Sequence, residues 1–449
     1  MNLSIIDSAF TGKGFILDPD NVFWAAVRKG EDGKVIIPEK ALSLYKKIKD
    51  GLDAKMADFR FSSNLTAIYI DPTDRCNADC PYCYVPAEMR RNGRSMSREE
   101  LVSILQKAER YFKGQKRKAV IIFHASEPLL VKDVIFGAIE AYGEVFKFGL
   151  QTNAILLKKE DVKFLRAHRV GVGISLDSHL PVANDRSRRS WRSGGNYHKA
   201  IEAIEMFDGY DGLNVISTIT KFNAEDLPGM VAFLHSKRVP CVLMNPVRLT
   251  RKSSHAVKPD EKVMTRYFIR AVDEAIRLSR RSDRRIIVGN FANIILGIVA
   301  PTARRLMCDI SPCGGGRCFF TVTASGEMIP CGEFIGLKGF SGGNIFKDTI
   351  EKAMGSRPFK TIRSRIVERI DKCSECGLRN ICGAPCQAEL HASGDMFQPS
   401  VFCEFYKAII AHAFKLIMRG EEGYCFRKDA FDNLKYEYKL PTADIGGRA

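Results

Sequence analysis

The sequence contains no long hydrophobic run. No stretch of about 18 consecutive apolar residues occurs in its 449 residues, so we expect no transmembrane helix. The first residues also lack a basic segment followed by an apolar one, which argues against a secretory signal. These two absences predict a cytoplasmic protein with no membrane partner.

Acidic residues are scarce relative to basic ones. The chain carries 52 Asp and Glu against 69 Lys and Arg, which gives a formal net charge of +17. A positive surface can serve solubility alone, or it can attract an anionic partner such as an acidic peptide or a nucleic acid. Charge alone leaves these alternatives open.

Strand-like runs and helical patterns alternate through residues 63–250. The runs are short and rich in β-branched residues, and Ser97 followed by Glu100 forms a capping box before one of the intervening helices. Such alternation implies parallel βα units. Six units fit a partial (β/α)6 TIM-like barrel, in which chemistry gathers at the carboxyl ends of the strands. The predicted strands are residues 66–70, 119–123, 148–152, 171–176, 214–219 and 241–245.

The predicted fold class is α/β, with a barrel followed by a small cysteine-rich domain. A chain of 449 residues exceeds what one hydrophobic core usually serves. Apolar periodicity fades after about Cys308, and a segment of that kind is usually held by metal rather than by apolar burial. We predict a small α+β unit at residues 1–62, the barrel at 63–290, the cysteine-rich domain at 291–410, and a helix and tail at 411–449.

Fourteen cysteines are present, and most of them are grouped. A disulfide framework does not persist in a reducing cytosol, so grouped cysteines indicate metal. Cys76, Cys80 and Cys83 form a Cys-x3-Cys-x2-Cys pattern directly after the first predicted strand. Three thiolates on a tight loop can bind three irons of a cubane 4Fe–4S cluster and leave the fourth iron open. A structural zinc site normally has four protein ligands, so three are too few for zinc.

This three-cysteine pattern, followed by an aromatic residue, resembles the signature of the radical S-adenosylmethionine (SAM) enzymes. The resemblance implies that Cys76, Cys80 and Cys83 bind the catalytic cluster and that SAM chelates its open iron. One electron would then cleave SAM and yield a 5′-deoxyadenosyl radical. The cofactor carries this chemistry, while the protein positions the reactants and excludes water.

Motifs at the other strand ends resemble the SAM-binding segments of the same family. Glu127-Pro128 follows the second strand, but Ala125-Ser126 stands where family members have two glycines. A carboxylate facing the SAM ammonium group is chemically apt. The side chains that the resemblance implies in SAM binding are Tyr82, Tyr84, Glu127, Asn153, Ser175 and Asp177.

The later cysteines resemble the SPASM extension of peptide-modifying radical SAM enzymes, which holds two auxiliary 4Fe–4S clusters. The run Cys-x2-Cys-x5-Cys-x3-Cys from residue 373 to residue 386 matches without a gap. Cys308 is an alternative to Cys313 or Cys318, and a pair of zinc sites is the other interpretation of this region. The resemblance assigns one auxiliary cluster to Cys313, Cys318, Cys331 and Cys386, and the other to Cys373, Cys376, Cys382 and Cys403.

Three functions compete. The first is a peptide maturase that forms a thioether or carbon–carbon cross-link or otherwise oxidises a side chain. The second is an anaerobic sulfatase maturase forming formylglycine. Such maturases have an Asp directly after the cysteine equivalent to Cys331, whereas Gly332 and Glu333 follow here, so Glu333 becomes a candidate catalytic residue. The third, a zinc-ribbon nucleic-acid-binding protein, rests on charge alone and leaves the three-cysteine loop unexplained.

The expected partners follow from the first function. They are a peptide or protein substrate and an external one-electron donor such as flavodoxin or ferredoxin, and nucleic acid is not expected. A loop after the fourth strand holds Arg186, Arg188, Arg189 and Arg192. It is either a solvated loop or a clamp for carboxylates of an acidic peptide, since Arg binds carboxylates bidentately.

Overall fold

A four-stranded antiparallel sheet with one long helix lies at the N-terminal end. The computed structural model describes residues 3–7, 13–29, 35–191 and 194–428. The elements are β1 (Ser4–Asp7), β2 (Lys13–Leu17), β3 (Trp24–Lys29), β4 (Val35–Ile36) and α1 (Glu39–Phe61).

Six parallel strands form the centre of the molecule and pair in chain order. They agree with the six predicted strands to within a residue or two, which confirms the partial barrel. These strands are β5 (Ala67–Ile70), β6 (Val120–Phe123), β7 (Lys147–Thr152), β8 (Gly171–Ser175), β9 (Leu213–Ile219) and β10 (Cys241–Pro246).

The longer helices between these strands each bury an apolar face. In the helix that begins after Ser97, the capping box is present, because Ser97 Oγ accepts from the Glu100 N–H at 3.2 Å and Glu100 Oε2 accepts from the Ser97 N–H at 2.9 Å. The barrel helices are α2 (Ala87–Asn92), α3 (Arg98–Phe112), α4 (Lys132–Tyr142), α5 (Lys159–Ala167), α6 (Pro181–Ser187), α7 (Tyr197–Phe207), α8 (Leu227–Ser236), α9 (Lys252–His255), α10 (Glu261–Arg281) and, after the short strand β11 (Ile287–Val288), α11 (Gly289–Val299).

The sheet continues beyond the barrel into the cysteine-rich region. Strand β12 (Phe319–Val322) pairs in parallel with β5, and β13 (Met328–Ile329) pairs antiparallel with β12. At the opposite edge β11 pairs with β10, so the sheet has nine strands. The barrel and the cysteine-rich segment, which the sequence treats as two domains, therefore share one sheet.

Short helices fill the rest of the cysteine-rich region. We predicted that this region has little apolar core, and that prediction is wrong, because Phe359 and Phe402 are fully buried and Phe334, Phe340 and Ile362 pack in one cluster. Among the residues described, no helix is both long enough and apolar enough to cross a membrane. The helices are α12 (Ile350–Gly355), α13 (Arg357–Ser364), α14 (Asp371–Ser374), α15 (Arg379–Cys382), α16 (Gln387–Ala392) and α17 (Cys403–Met418), and 3₁₀ turns cover Pro128–Val131, Ala224–Asp226, Pro301–Ala303, Gly332–Phe334, Val367–Arg369 and Glu422–Cys425.

Candidate active site

The three-cysteine loop leaves the carboxyl end of β5 and is held by a buried arginine. Arg90, only 6% exposed, donates from Nε to the Val85 carbonyl at 3.1 Å and from Nη1 to the Ala78 carbonyl at 3.0 Å. Its own carbonyl accepts from the Cys76 N–H at 2.9 Å. The loop is therefore fixed by neighbouring backbone groups.

A cavity of about 420 Å³ opens at this end of the barrel. Its wall includes Cys76, Cys80 and Cys83 together with residues that end or follow β6 to β10, such as Asn153 and Ser175. The cavity thus lies where the chemistry of α/β barrels is built, at the carboxyl ends of the strands. Tyr82 and Tyr84 also line it, so four of the six residues expected to bind SAM face the same space.

The three thiols suit a metal cluster in their chemistry. Burial raises the pKa of Cys80 to about 11, although the nearby Arg188 lowers it. Burial also raises the pKa values of Cys76 and Cys83. Without a cation these thiols stay protonated, whereas bound iron would supply the positive charge that favours thiolates. Three buried soft donors on one loop therefore fit a 4Fe–4S cluster.

Glu127 lies behind the cavity wall rather than in it. It is fully buried, and its carboxylate accepts hydrogen bonds from the Leu129 N–H at 3.1 Å, the Thr152 hydroxyl at 2.8 Å and the Asn153 N–H at 2.8 Å. Burial raises the pKa of Glu127 to about 7, and these hydrogen bonds oppose the rise. In this structure Glu127 positions Asn153, whose side chain donates to Asn77 Oδ1 at 2.7 Å; a direct contact of Glu127 with SAM stays a prediction.

Asp177 is likewise engaged by the protein itself. Its carboxylate, 1% exposed, accepts from the Tyr82 hydroxyl at 2.6 Å and from the Thr218 N–H at 2.9 Å, and it pairs with Arg188 Nε at 3.0 Å. This set of contacts places Tyr82 against the cavity. Asp177 therefore acts on the site through Tyr82, and its predicted contact with SAM is untested.

The two residues that replace the family's glycines adopt a backbone conformation that favours glycine. Ala125 has φ of 55° and Ser126 has φ of 48°, both in the left-handed region. The hydroxyl of Ser126 donates to the Asp74 carbonyl at 2.7 Å, which ties the turn to the cysteine loop. The tight turn is thus kept without glycine, at a conformational cost of about 1–2 kcal/mol per residue.

A second group of four cysteines borders the same cavity. It consists of Cys308, Cys313, Cys331 and Cys386. Cys318, which the sequence assigned to this group, does not line that cavity; it is 6% exposed and borders a separate one of about 300 Å³. The structure thus favours the alternative in which Cys308 takes the place of Cys318.

The four cysteines expected to hold the other auxiliary cluster lie close together on α14, α15, the turn between them and the start of α17. They are Cys373, Cys376, Cys382 and Cys403. Burial and the thiols of Cys403 and Cys376 raise the pKa of Cys373, and Cys403 and Cys373 also act on Cys382. Over the described residues, no three His, Cys, Asp or Glu side chains converge tightly enough to hold a single metal ion.

Glu333 and two residues that sequence reasoning missed face the space between the two cysteine groups. Among the described residues Glu333 Oε2 is buried without a hydrogen-bond partner, and His124 and Arg248 share its cavity. Burial raises the pKa of Glu333 to about 7, while Arg248 lowers it. His124 follows β6 directly and Arg248 comes two residues after β10. Their positions just beyond the ends of predicted strands were the feature of the sequence that could have identified them as site residues.

The fold and this cavity define an α/β-barrel enzyme built around cysteine-bound iron–sulfur chemistry. The radical SAM superfamily model matches residues 70–234, and the model of the SPASM iron–sulfur cluster-binding domain matches residues 313–377. The chain belongs to the radical SAM superfamily and carries a SPASM domain. It is therefore an enzyme that uses SAM and a 4Fe–4S cluster.

Similar proteins span most of the chain. An uncharacterised protein of Archaeoglobus fulgidus is 45% identical over 91% of this chain and 93% of its own. The solved structure of native anSMEcpe with bound AdoMet has a TM-score of 0.68 and 18% identity, and covers 80% of this chain and 99% of that one. Streptococcus suis SuiB bound to precursor peptide SuiA has a TM-score of 0.60 and 16% identity, and covers 87% and 96%. These two structures share the fold.

Proposed function

We propose that this enzyme modifies a side chain of a peptide or protein by radical chemistry. The observation that carries the proposal is the cavity of about 420 Å³, whose wall includes both Cys76, Cys80 and Cys83 and the second group of four cysteines. A substrate in this space touches the walls of two cluster sites at once. The structural neighbour SuiB is described with a bound precursor peptide, which supports a peptide substrate.

The residues present fit three 4Fe–4S clusters. Cys76, Cys80 and Cys83 hold the catalytic cluster, which together with SAM supplies a hydrogen-abstracting radical when reduced by one electron. An external one-electron donor such as flavodoxin or ferredoxin provides that electron. The auxiliary clusters are held by Cys308, Cys313, Cys331 and Cys386, and by Cys373, Cys376, Cys382 and Cys403.

The protein side chains bind and orient the substrate between these sites. Glu333 offers a carboxylate oxygen that no other described residue contacts by a hydrogen bond, and this oxygen can accept a hydrogen bond from the substrate. Arg248 and His124 offer donors across the same space. Tyr84, whose hydroxyl lies 3.3 Å from His124 Nε2, fixes the imidazole ring.

Formylglycine formation is the weaker alternative because of the residue at position 332. A Cβ atom at Gly332 would lie 3.2 Å from His124 Cε1 and 3.5 Å from the Tyr84 hydroxyl. An Asp at this position would therefore require the His124 side chain to shift by a few tenths of an ångström. The acid that follows the cluster cysteine in sulfatase maturases is absent here, and Glu333 stands one residue later.

This proposal does not include the four-arginine clamp for an acidic peptide that the sequence suggests. Arg188 pairs with Asp177 at 3.0 Å and Arg189 with Asp79 at 3.6 Å, so both already face carboxylates of the chain itself. Arg186 is exposed, and Arg192 lies outside the described residues. An acidic substrate segment would find only part of the predicted clamp available.

The test uses anaerobically reconstituted full-length enzyme, dithionite and SAM, with peptides synthesised from short reading frames next to the gene as candidate substrates. We expect 5′-deoxyadenosine to form and the peptide mass to change. Cys76→Ala should abolish both, because it removes one of three protein ligands of the catalytic cluster. Cys425→Ala, at a buried cysteine that does not line the cavity, is the matched control. Undiminished 5′-deoxyadenosine from Cys76→Ala would contradict the assignment.

A further inference from the structure

The segment that follows α6 folds back onto the three-cysteine loop. The Asp79 N–H donates to the Arg189 carbonyl at 2.7 Å, and Ala78 forms an antiparallel bridge with Ser190. The side chain of Arg189 also lies 3.6 Å from Asp79. Residues 188–191 thus run beside the cysteine loop as a short strand would, and we name them the clasp.

Trp191 connects the clasp to the first cysteine. Its Nε1–H donates to the Cys76 carbonyl at 2.8 Å. The guanidinium of Arg91 lies 4.3 Å from the indole ring and that of Arg90 lies 5.0 Å from it, both at cation–π distance. The half-buried indole is therefore fixed between the backbone of Cys76 and two cations that belong to the base of the loop.

Arg188 places a buried positive charge on the inner side of the same loop. It is 8% exposed, lines the cavity with the three cysteines, and lies 5.6 Å from the Tyr82 ring. Its ion pair with Asp177 at 3.0 Å holds it in place. The clasp thus presents one N–H donor and one cation to the loop that carries the catalytic cysteines.

We infer that the clasp sets the reduction potential of the catalytic cluster. The inference rests on the proposed binding of that cluster by Cys76, Cys80 and Cys83. Reduction adds one negative charge at this site, so a nearby donor and a nearby cation stabilise the reduced form. Net charge, hydrogen bonding and solvent exposure are the quantities that tune iron–sulfur potentials.

The test is an anaerobic redox titration of reconstituted full-length enzyme, followed by electron paramagnetic resonance. The catalytic cluster is identified as the signal that changes when SAM is added. Trp191→Phe keeps an aromatic ring and removes the N–H, and Arg188→Met removes the cation. We expect each to shift the midpoint potential of this signal to a more negative value. Arg186→Gln is the control, because Arg186 is exposed on α6 and lies outside the clasp. It should leave the midpoint potential unchanged.

Iron content separates a tuning effect from loss of the cluster. A wild-type midpoint in both Trp191→Phe and Arg188→Met, at wild-type iron content, would overturn the inference. Loss of the SAM-sensitive signal together with iron in both variants would also overturn it, since the clasp would then hold the cluster in place rather than tune its potential. A failure of the proposed function is visible separately, because the wild type would then show no SAM-sensitive signal and form no 5′-deoxyadenosine.

Discussion

At the scale of single residues, the sequence pattern located the cysteines but did not decide which of them belong together. Cys308 and Cys318 flank Cys313 at equal spacing, so counting residues could not separate them. The fold separates them, because Cys318 directly precedes β12 and turns to another cavity, while Cys308 shares the cavity with Cys313, Cys331 and Cys386. Spacing along the chain carries no information about which side of a strand a thiol occupies.

A pair of alanine variants tests this assignment. Cys308→Ala should remove one of four ligands of the first auxiliary cluster and lower the iron content by up to about four atoms per chain. Cys318→Ala should keep the wild-type iron content, and as a small buried thiol it should cost at most about 1–2 kcal/mol of stability. Iron analysis and visible absorbance of both variants decide the matter. Iron loss in Cys318→Ala alone would restore the original assignment.

At the scale of elements, the strands of the barrel were predictable and their neighbours were not. Runs such as Val120–Phe123 are recognisable by their β-branched and apolar residues. The pairing of β12 with β5 joins residues about 250 positions apart, as between Phe320 and Ile68, and no local pattern encodes such a pairing. The first three strands of the N-terminal sheet, which are four to six residues long, were also missed.

The junction of β6, β7 and the 3₁₀ turn after Glu127 depends on that one carboxylate. Glu127→Gln keeps the size but loses one acceptor, which leaves a buried N–H or hydroxyl of residues 129, 152 or 153 unpaired. We expect a loss of about 1–3 kcal/mol in the free energy of unfolding, measured by denaturant titration.

The same variant carries a pH signature. The folded-state pKa of Glu127 is raised to about 7, above its ordinary value of 4.5. A carboxyl group whose pKa is raised in the folded state stabilises the fold at pH values below its unfolded-state pKa. This contribution to stability is lost as the pH rises through about 7. Gln does not titrate, so the deficit of Glu127→Gln should be largest near the low end of this window and should shrink above it. A deficit that grows with pH would contradict the raised pKa.

At the scale of the whole molecule, the N-terminal unit is in direct contact with the cysteine-rich region and with the helix that follows it. Arg60 on α1 pairs with Glu368 at 2.9 Å, and the buried Arg317 donates to the Phe59 carbonyl at 2.8 Å. The rings of Phe15 and Phe414 lie 4.7 Å apart. None of these contacts follows from the sequence, because each depends on how the chain returns after the barrel.

These contacts change what removal of the metal should do. The sequence predicted that metal alone holds residues 308–403, but β12 lies in the central sheet and Phe359 is fully buried. Residues 371–386 consist of four-residue helices and turns around cysteines, with a small apolar cluster of Val367, Ile370 and Ala384 beside them. Loss of metal should therefore loosen this short segment and leave the sheet intact.

Limited trypsin digestion under anaerobic conditions tests this expectation. Lys372 is exposed on α14, next to Cys373, so it offers a cleavage site where the chain is expected to open. After chelation of iron, or in Cys373→Ala, cleavage after Lys372 should appear early, while the segment from β12 to α13 stays protected by its sheet and core contacts. Cys241→Ala, at a partly buried cysteine of β10 outside both groups, should digest like the wild type. Simultaneous cleavage throughout residues 308–403 would mean that the apolar contacts do not hold the region without metal, and an unchanged pattern would mean that metal does not hold even its cysteine turns.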